Sequence, residues 1–253
     1  MRQTAAVFAA LSILIFASCS ANQDFLIESD GSGEAEIEIV VEPFFARYLA
    51  DISAGFGDAD APLFDVPGIE AAFAEYPDIH LNEIELRGEY GLALRLEFDA
   101  IDRFLRARDD VVSEILSFDT DGSRRLIRAR LDRTSVERAL EFARIDPSIT
   151  EILLPPAGDM GASEYGEYLS WALEEYEDSS VLTETLTRSR IRTVVRVNGE
   201  IRSVIGGRTG DAIEGGNAPT GGRGGASAVF SMPLLRLLTT GTPVEYSVLF
   251  EPE

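Results

Sequence analysis

The chain has 253 residues, with 44 acidic against 22 basic side chains and a formal net charge of −22. Such a charge repels phosphate backbones and anionic headgroups, which excludes nucleic acid and acidic lipid surfaces as partners. Apolar residues make up 45% of the chain and charged residues 26%, the mixture of a globular chain rather than a disordered one. Every basic residue is Arg, so bidentate pairing with carboxylates is open to the whole cationic set. Residues 19–86 hold only Arg47, whereas Arg is dense from Arg87 to Arg144, so an acidic front is expected to pair with an Arg-rich middle.

The chain opens with Arg2 and then an uncharged, mostly apolar run from Thr4 to Ala17. As a helix this run would rise about 21 Å, short of a hydrocarbon core of about 30 Å, so it reads as a cleaved leader rather than a span. Phe16-Ala17-Ser18-Cys19 resembles the lipobox of bacterial lipoproteins, in the looser spirochaete-type form that accepts Phe16 in the usual Leu position. That resemblance implies a signal peptide over 1–18 and acylation (palmitate among the chains) of Cys19 as the mature N-terminus. It also implies membrane attachment through N-terminal acyl chains in the bacterial cell envelope. Cys19 is the chain's only cysteine, and acylation accounts for a thiol that secretion alone would leave unpaired. The alternative is ordinary cleavage after Ala21, with Cys19 and Ala21 as the small residues of the site. Ser20 stands where an Asp would resemble an inner-membrane retention signal, which tilts the expectation toward the outer membrane.

Residues 19–24 are expected to be the lipidated cysteine and a short polar tether. Phe25-Leu26-Ile27, the turn cluster Asp30-Gly31-Ser32-Gly33, and alternating Ile37, Ile39 and Val41 predict an opening β-hairpin. Phe44 to Ile52 is expected to be helical, with a loop from Gly55 to Pro62. Asp65 caps a second predicted helix, with Pro67 in its first turn, Ile69, Ala72, Phe73 and Tyr76 on one face, and Pro77 as its stop. Glu83 to Arg87 and Leu92 to Phe98 predict two strands about Gly88-Glu89-Tyr90-Gly91. Asp99 is placed to cap a helix bearing Ile101, Phe104 and Leu105. Asp119 to Gly122 turns into a strand from Leu126 to Leu131, and Thr134 with Glu137 fits a capping box.

Pro155-Pro156 marks a break, after which Ser163 is expected to cap a helix with Tyr165, Tyr168, Leu169, Leu173 and Tyr176 on one side. Trp171 falls off the Leu169/Leu173 face. Val194 to Val204 carries two β-branched runs about Asn198-Gly199, the signature of a type I′ hairpin. Gly206 to Gly225 reads as a flexible glycine-rich loop, and Val244 to Phe250 as a closing strand. The sum is an α+β fold: an antiparallel sheet with hairpins packed against several helices, after the N-terminal signal peptide. Residues 25–253 are expected to form a single domain with a helical insertion over 145–187 and the loop over 206–225.

The strand led by Asp30-Gly31-Ser32-Gly33, the helix after it, the paired strands around residues 83–105, and the Val197-to-Val204 run before a closing strand resemble the LppM-type bacterial lipoprotein domain. The likeness covers residues 25–131 and 190–250. It implies an α+β envelope domain with no established catalytic residues to carry over.

Chemistry is sparse. His80 is the only histidine, flanked by Ile79 and Leu81, and reads as a strand-edge residue. With one His and no free thiol in the mature chain, zinc chemistry has no ligand set, and no metal or cofactor is expected. Asp119-Thr120-Asp121-Gly122 has its glycine too early for a calcium loop and reads as a hairpin turn. The glycine loop has no following helix signature to cradle phosphate. Tyr165, Tyr168 and Trp171 form a candidate partner patch, set against core packing as the ordinary role of such a stripe. The expected function is a non-catalytic binding or structural role for an envelope lipoprotein, with an envelope protein or a small apolar ligand as partner. Two alternatives stay open: a carboxylate-based enzyme on envelope carbohydrate, and a carrier with an apolar pocket. A deep cleft with paired carboxylates would favour the first, a large apolar cavity the second.

Overall fold

A computed structural model describes residues 20–55, 62–101, 105, 115–142, 154–155, 160–210 and 226–252, with backbone alone for 139–142. Among them are eleven strands and six helices. Strand β1 (Ser20–Ile27) turns at Asp30 into β2 (Gly33–Val40), and the two pair antiparallel from Ile27↔Gly33 to Ser20↔Val40. Gly31 supplies the positive φ of 85° in that turn, and the Asp30 carboxylate accepts from the Ser32 amide and hydroxyl. The opening hairpin is therefore as expected, but it starts earlier. Residues 20–24, read from sequence as a tether, are the first half of β1, paired on both flanks.

Helix α1 (Pro43–Gly55) follows, then α2 (Val66–Phe73), with Asp65 accepting from the Gly68 amide at 3.2 Å and with Ile69, Ala72, Phe73 and Tyr76 all buried. Strands β3 (Ile79–Leu86) and β4 (Gly91–Phe98) pair about the Gly88-to-Tyr90 turn and bury Leu92, Leu94 and Leu96 on one face. Each such leucine contributes roughly 2 kcal/mol of burial. The Asp99-led helix falls largely outside the described residues. Strands β5 (Leu116–Asp121) and β6 (Arg124–Leu131) form the expected hairpin, with Gly122 at φ 57°. Helix α3 (Arg133–Phe142) is capped two residues earlier than the Thr134 box predicts. The Ser135 amide donates to Asp132 Oδ1 at 2.8 Å while the Asp132 amide donates to Ser135 Oγ at 2.9 Å.

Helices α4 (Ala162–Ala172) and α5 (Ser179–Arg188) follow; Gly161 is the N-cap of α4, with no side-chain cap, so Ser163 does not serve there. Next come β7 (Arg190–Val197), β8 (Gly199–Ile205), β9 (Arg208–Thr209), β10 (Ala226–Pro233), α6 (Leu234–Thr239) and β11 (Val244–Pro252). Residues 211–225 of the glycine loop lie outside the described set.

The strands make two sheets. One has the order β3-β4-β2-β1-β7-β10-β9, the other β5-β6-β11-β8. Every pairing is antiparallel except β1 with β7, which run parallel in register from Ser20↔Arg190 to Ile27↔Val197. The inner faces meet in one core, and β8 lies against β9 and β10 along one seam.

The Asn198-Gly199 hairpin is not formed. β7 belongs to the larger sheet and β8 to the smaller, so this dipeptide carries the chain from one layer to the other. Only Asn198 separates the strands, too short a link to reverse the chain within one sheet. Its side chain donates to Glu28 Oε2 at 3.0 Å, while Gly199, at φ 150°, passes against the Glu251 carbonyl. Burial decided the outcome: β7, with Ile191, Val194, Val195 and Val197 buried, is a central strand hydrogen-bonded on both edges to β1 and β10, and that outweighs a local turn preference.

Candidate binding cavity

The two inner faces do not close completely on one another. They leave a cavity of about 320 Å³. Protein interiors seldom keep voids larger than a water molecule, whereas sites for small ligands begin near 300 Å³, so this space is of ligand size. Its position follows from alternation along the strands. Gln23, Phe25 and Ile27 of β1 face inward with Ala35 and Ile37 of β2 and with Thr193 and Val195 of β7. From the facing sheet come Ile127, Ala129 and Leu131 of β6 with Tyr246 and Val248 of β11. Leu237 of α6 and Met232 of β10 close one end, and Ile101 and Ile115 stand at a flank. Ala35 and Ala129 are short side chains in facing layers, which is one reason the space stays open.

One polar pair interrupts this wall. Thr193 Oγ1 donates to Gln23 Oε1 at 3.0 Å across the parallel β1–β7 ladder, where the two residues stand directly in register. The Gln23 amide nitrogen keeps its two N–H groups without a protein partner among the described residues, and it borders the cavity. An amide held this way offers a hydrogen bond inside an apolar space, where it is worth more than in water. None of the described lining residues is Asp, Glu, Lys, Arg or His.

The sequence-read site residues fall elsewhere. Cys19 lies outside the described residues. Tyr165 is fully buried beside Ala21 and Leu237, and burial pushes its hydroxyl pKa up. Tyr168 stacks on it at 6.2 Å, and Trp171 lies 6.0 Å from Tyr168 with 65% of its surface exposed. The stripe therefore divides between core and surface. His80 sits on edge strand β3, exposed, with Nε2 3.5 Å from Asp99 Oδ1. Asp119 to Gly122 forms a hairpin turn, and among the described residues no three His, Cys, Asp or Glu side chains gather as a metal site. No described helix is long and apolar enough to cross a membrane.

The acidic front and Arg-rich middle pair at Arg95, which meets Glu83 at 2.8 Å and Glu36 at 3.5 Å, while other ion pairs join different segments: Arg196 is ion-paired to Asp24. Arg124 and Arg202 both hold Glu251, at 3.0 and 2.6 Å. Hydrogen bonds from Arg202 and then Arg124 pull the Glu251 carboxyl below the usual carboxylate range.

No protein-family model matches the chain, and no curated protein matches it. Among solved structures, the fold is similar to the folded domain of the Mycobacterium tuberculosis LppM protein, determined by NMR. The chain resembles an LppM-type domain. Identity is 11%, the match covers 92% of this chain and 89% of that one, and the TM-score is 0.41.

Proposed function

We propose that the protein is an acyl-anchored envelope lipoprotein whose α+β domain binds one small apolar ligand between its two sheets, without catalysing a reaction. The cavity carries this reading: about 320 Å³ of space walled almost wholly by aliphatic and aromatic side chains. Of the readings the sequence left open, the apolar-ligand carrier is the one that needs such a space. A carbohydrate enzyme needs two facing carboxylates, and the described lining supplies none. The Gln23 amide would meet a single acceptor on the ligand, such as an ester or keto oxygen, with the hydrocarbon packed around it.

The anchor rests on the lipobox-like run ending in Cys19. With the tether expected from sequence replaced by strand, the domain would begin one residue after its acyl chains. The outer membrane is the favoured location, from Ser20. Native mass spectrometry of the full-length protein, extracted from producing cells in mild detergent, tests the carrier. An apolar molecule bound one to one, lost on unfolding, is the expected result. A ligand-free protein that also fails to take up a fluorescent fatty ester overturns it. Fatty-acid labelling of wild type and Cys19→Ala tests the anchor separately: label on wild type alone is expected, and equal label on both removes it.

A further inference from the structure

Both ends of the larger sheet carry exposed charge, Arg188 and Arg190 among it where β1 begins, and they differ in the apolar groups they expose beside it. At one end β1 turns into β2, and the surface there is polar: Asn198 holds Glu28, Arg125 donates to the Ser29 carbonyl, and Arg124 and Arg202 grip Glu251 nearby. The other end is where β1 begins, with Ser20 beside Val40 on one flank and Arg190 on the other. Three helices join the sheet here. α1 starts three residues after β2, α5 ends just before β7, and α6 begins as β10 stops, with the Leu234 amide donating to the Ser189 carbonyl at 3.0 Å. α4 packs across α5 and α6, turning Tyr165 and Leu173 inward and Trp171 outward.

Exposed apolar side chains occur at this end, with Val40 and Leu86 on opposite faces of the sheet by their register. Five large hydrophobics are exposed among the described residues, and four belong here: Val40 (46%), Leu86 (53%), Trp171 (65%) and Val181 (43%). Val40 and Leu86 are the last residues of β2 and β3, and Trp171 and Val181 stand on α4 and α5. Scattered single hydrophobics need no account, but a distribution toward one end with an exposed Trp does. The chain itself indicates the occupant. β1 begins at Ser20 and consecutive Cα atoms are about 3.8 Å apart, so acyl chains on the preceding residue would be joined to the chain at this same end.

We infer that this helix-capped end is a bilayer-seating surface, on which Trp171 enters the headgroup region of the membrane that the acyl chains anchor. This rests on the acylation of Cys19 proposed above. Trp prefers that depth because its ring is apolar and its N–H is polar. The lipid class follows from charge. Glu164, Glu167, Glu174 and Glu175 surround Trp171 in sequence, and an anionic surface would repel them, so the seat fits zwitterionic headgroups.

Trp171 is the only tryptophan, so its emission reports on this surface alone. The test reconstitutes the full-length acylated protein into phosphatidylcholine vesicles, confirms by flotation that it is anchored, and then replaces the lipid with phosphatidylcholine brominated on its acyl chains. Expected are a shift of Trp171 emission to shorter wavelength, loss of intensity with brominated lipid, and protection from acrylamide, all weakened when anionic lipid is mixed in at low salt. Val181→Asp, at an exposed site, should float equally well and lose part of the protection. Anchored protein whose Trp171 is unquenched by bromine and open to acrylamide overturns the seating surface and leaves the anchor standing. Wild type that fails to float removes the anchor and this inference with it.

Discussion

Replacing Ala129 by Leu separates a ligand cavity from an ordinary core position. Ala129 lies on β6 between Leu116 and Tyr246 in the strand register, and its methyl group borders the 320 Å³ space. Leu adds three carbons, each worth about 0.8 kcal/mol when taken out of water, against about 0.5–1 kcal/mol of lost rotamer freedom. The balance is a gain of about 1–2 kcal/mol, or a rise in melting temperature of about 3–6 °C for a domain of this size. The same side chain consumes ligand space, so affinity for a fluorescent fatty ester should fall at least tenfold, which is about 1.4 kcal/mol. Stability and binding thus move in opposite directions, as expected where a fold keeps a hole for function. The assays are thermal unfolding of the ligand-free protein and a probe titration. In a close-packed site the extra carbons would instead cost about 1–3 kcal/mol. A lower melting temperature, or unchanged probe affinity, refutes the reasoning.

Three further outcomes follow from single side chains. Gln23→Leu removes the amide donor at the cavity, so affinity for an ester-bearing chain should drop roughly fivefold, the equivalent of about 1 kcal/mol, while a plain hydrocarbon of the same length binds unchanged; isothermal titration of the two ligands checks this. Gly199→Ala places a methyl group against the Glu251 carbonyl at φ 150°, so the layer crossing should loosen and stability should fall by about 2 kcal/mol or more in a denaturant melt, with an Asn198→Ala control losing less. For Glu251 the folded pKa is depressed by the Arg202 and Arg124 hydrogen bonds, so its contribution is present above the unfolded carboxylate pKa and lost as pH falls through the folded one; wild type should therefore exceed Glu251→Gln in denaturant midpoint at neutral pH, with the gap closing in acid, and a constant gap would count against the linkage.

The elements most legible in the sequence were those whose local chemistry and burial agree. Ile37, Ile39 and Val41 alternate and are buried; Asp65, Pro67 and Pro77 start and stop α2; Gly122 turns β5 into β6. Where the two conflict, burial prevailed. Asn198-Gly199 has strong hairpin chemistry, yet the strands around it found partners in different layers. The capping box moved from Thr134 to Asp132 because Asp132 and Ser135 satisfy each other's amides directly. The cavity was harder still to read. Gln23 resembled part of a polar tether because Asn22 and Asp24 flank it, although Ala21, Gln23, Phe25 and Ile27 keep a period of two that marks one face of a strand. No periodicity reveals that Ala35 and Ala129 will border the same space, since that depends on the packing of two sheets.

Strand β1 joins the two proposed tasks. Gln23 follows Ser20 by three residues, about 10 Å along a strand, so the polar pair in the cavity would sit about that distance above the point where the acyl chains leave. A flexible tether would let the domain tumble and meet other envelope components; a strand paired on both flanks does not. Leu237 of α6 and Met232 of β10 line the cavity at this helix-capped end, so α6 would stand between the ligand space and a bilayer seated there. α6 is only six residues long, but it buries Leu234, Leu237 and Leu238 and is tied at both ends by backbone hydrogen bonds, from the Leu234 amide to the Ser189 carbonyl and from the Arg133 amide to the Thr240 carbonyl, so it is a packed part of the wall rather than a loose one.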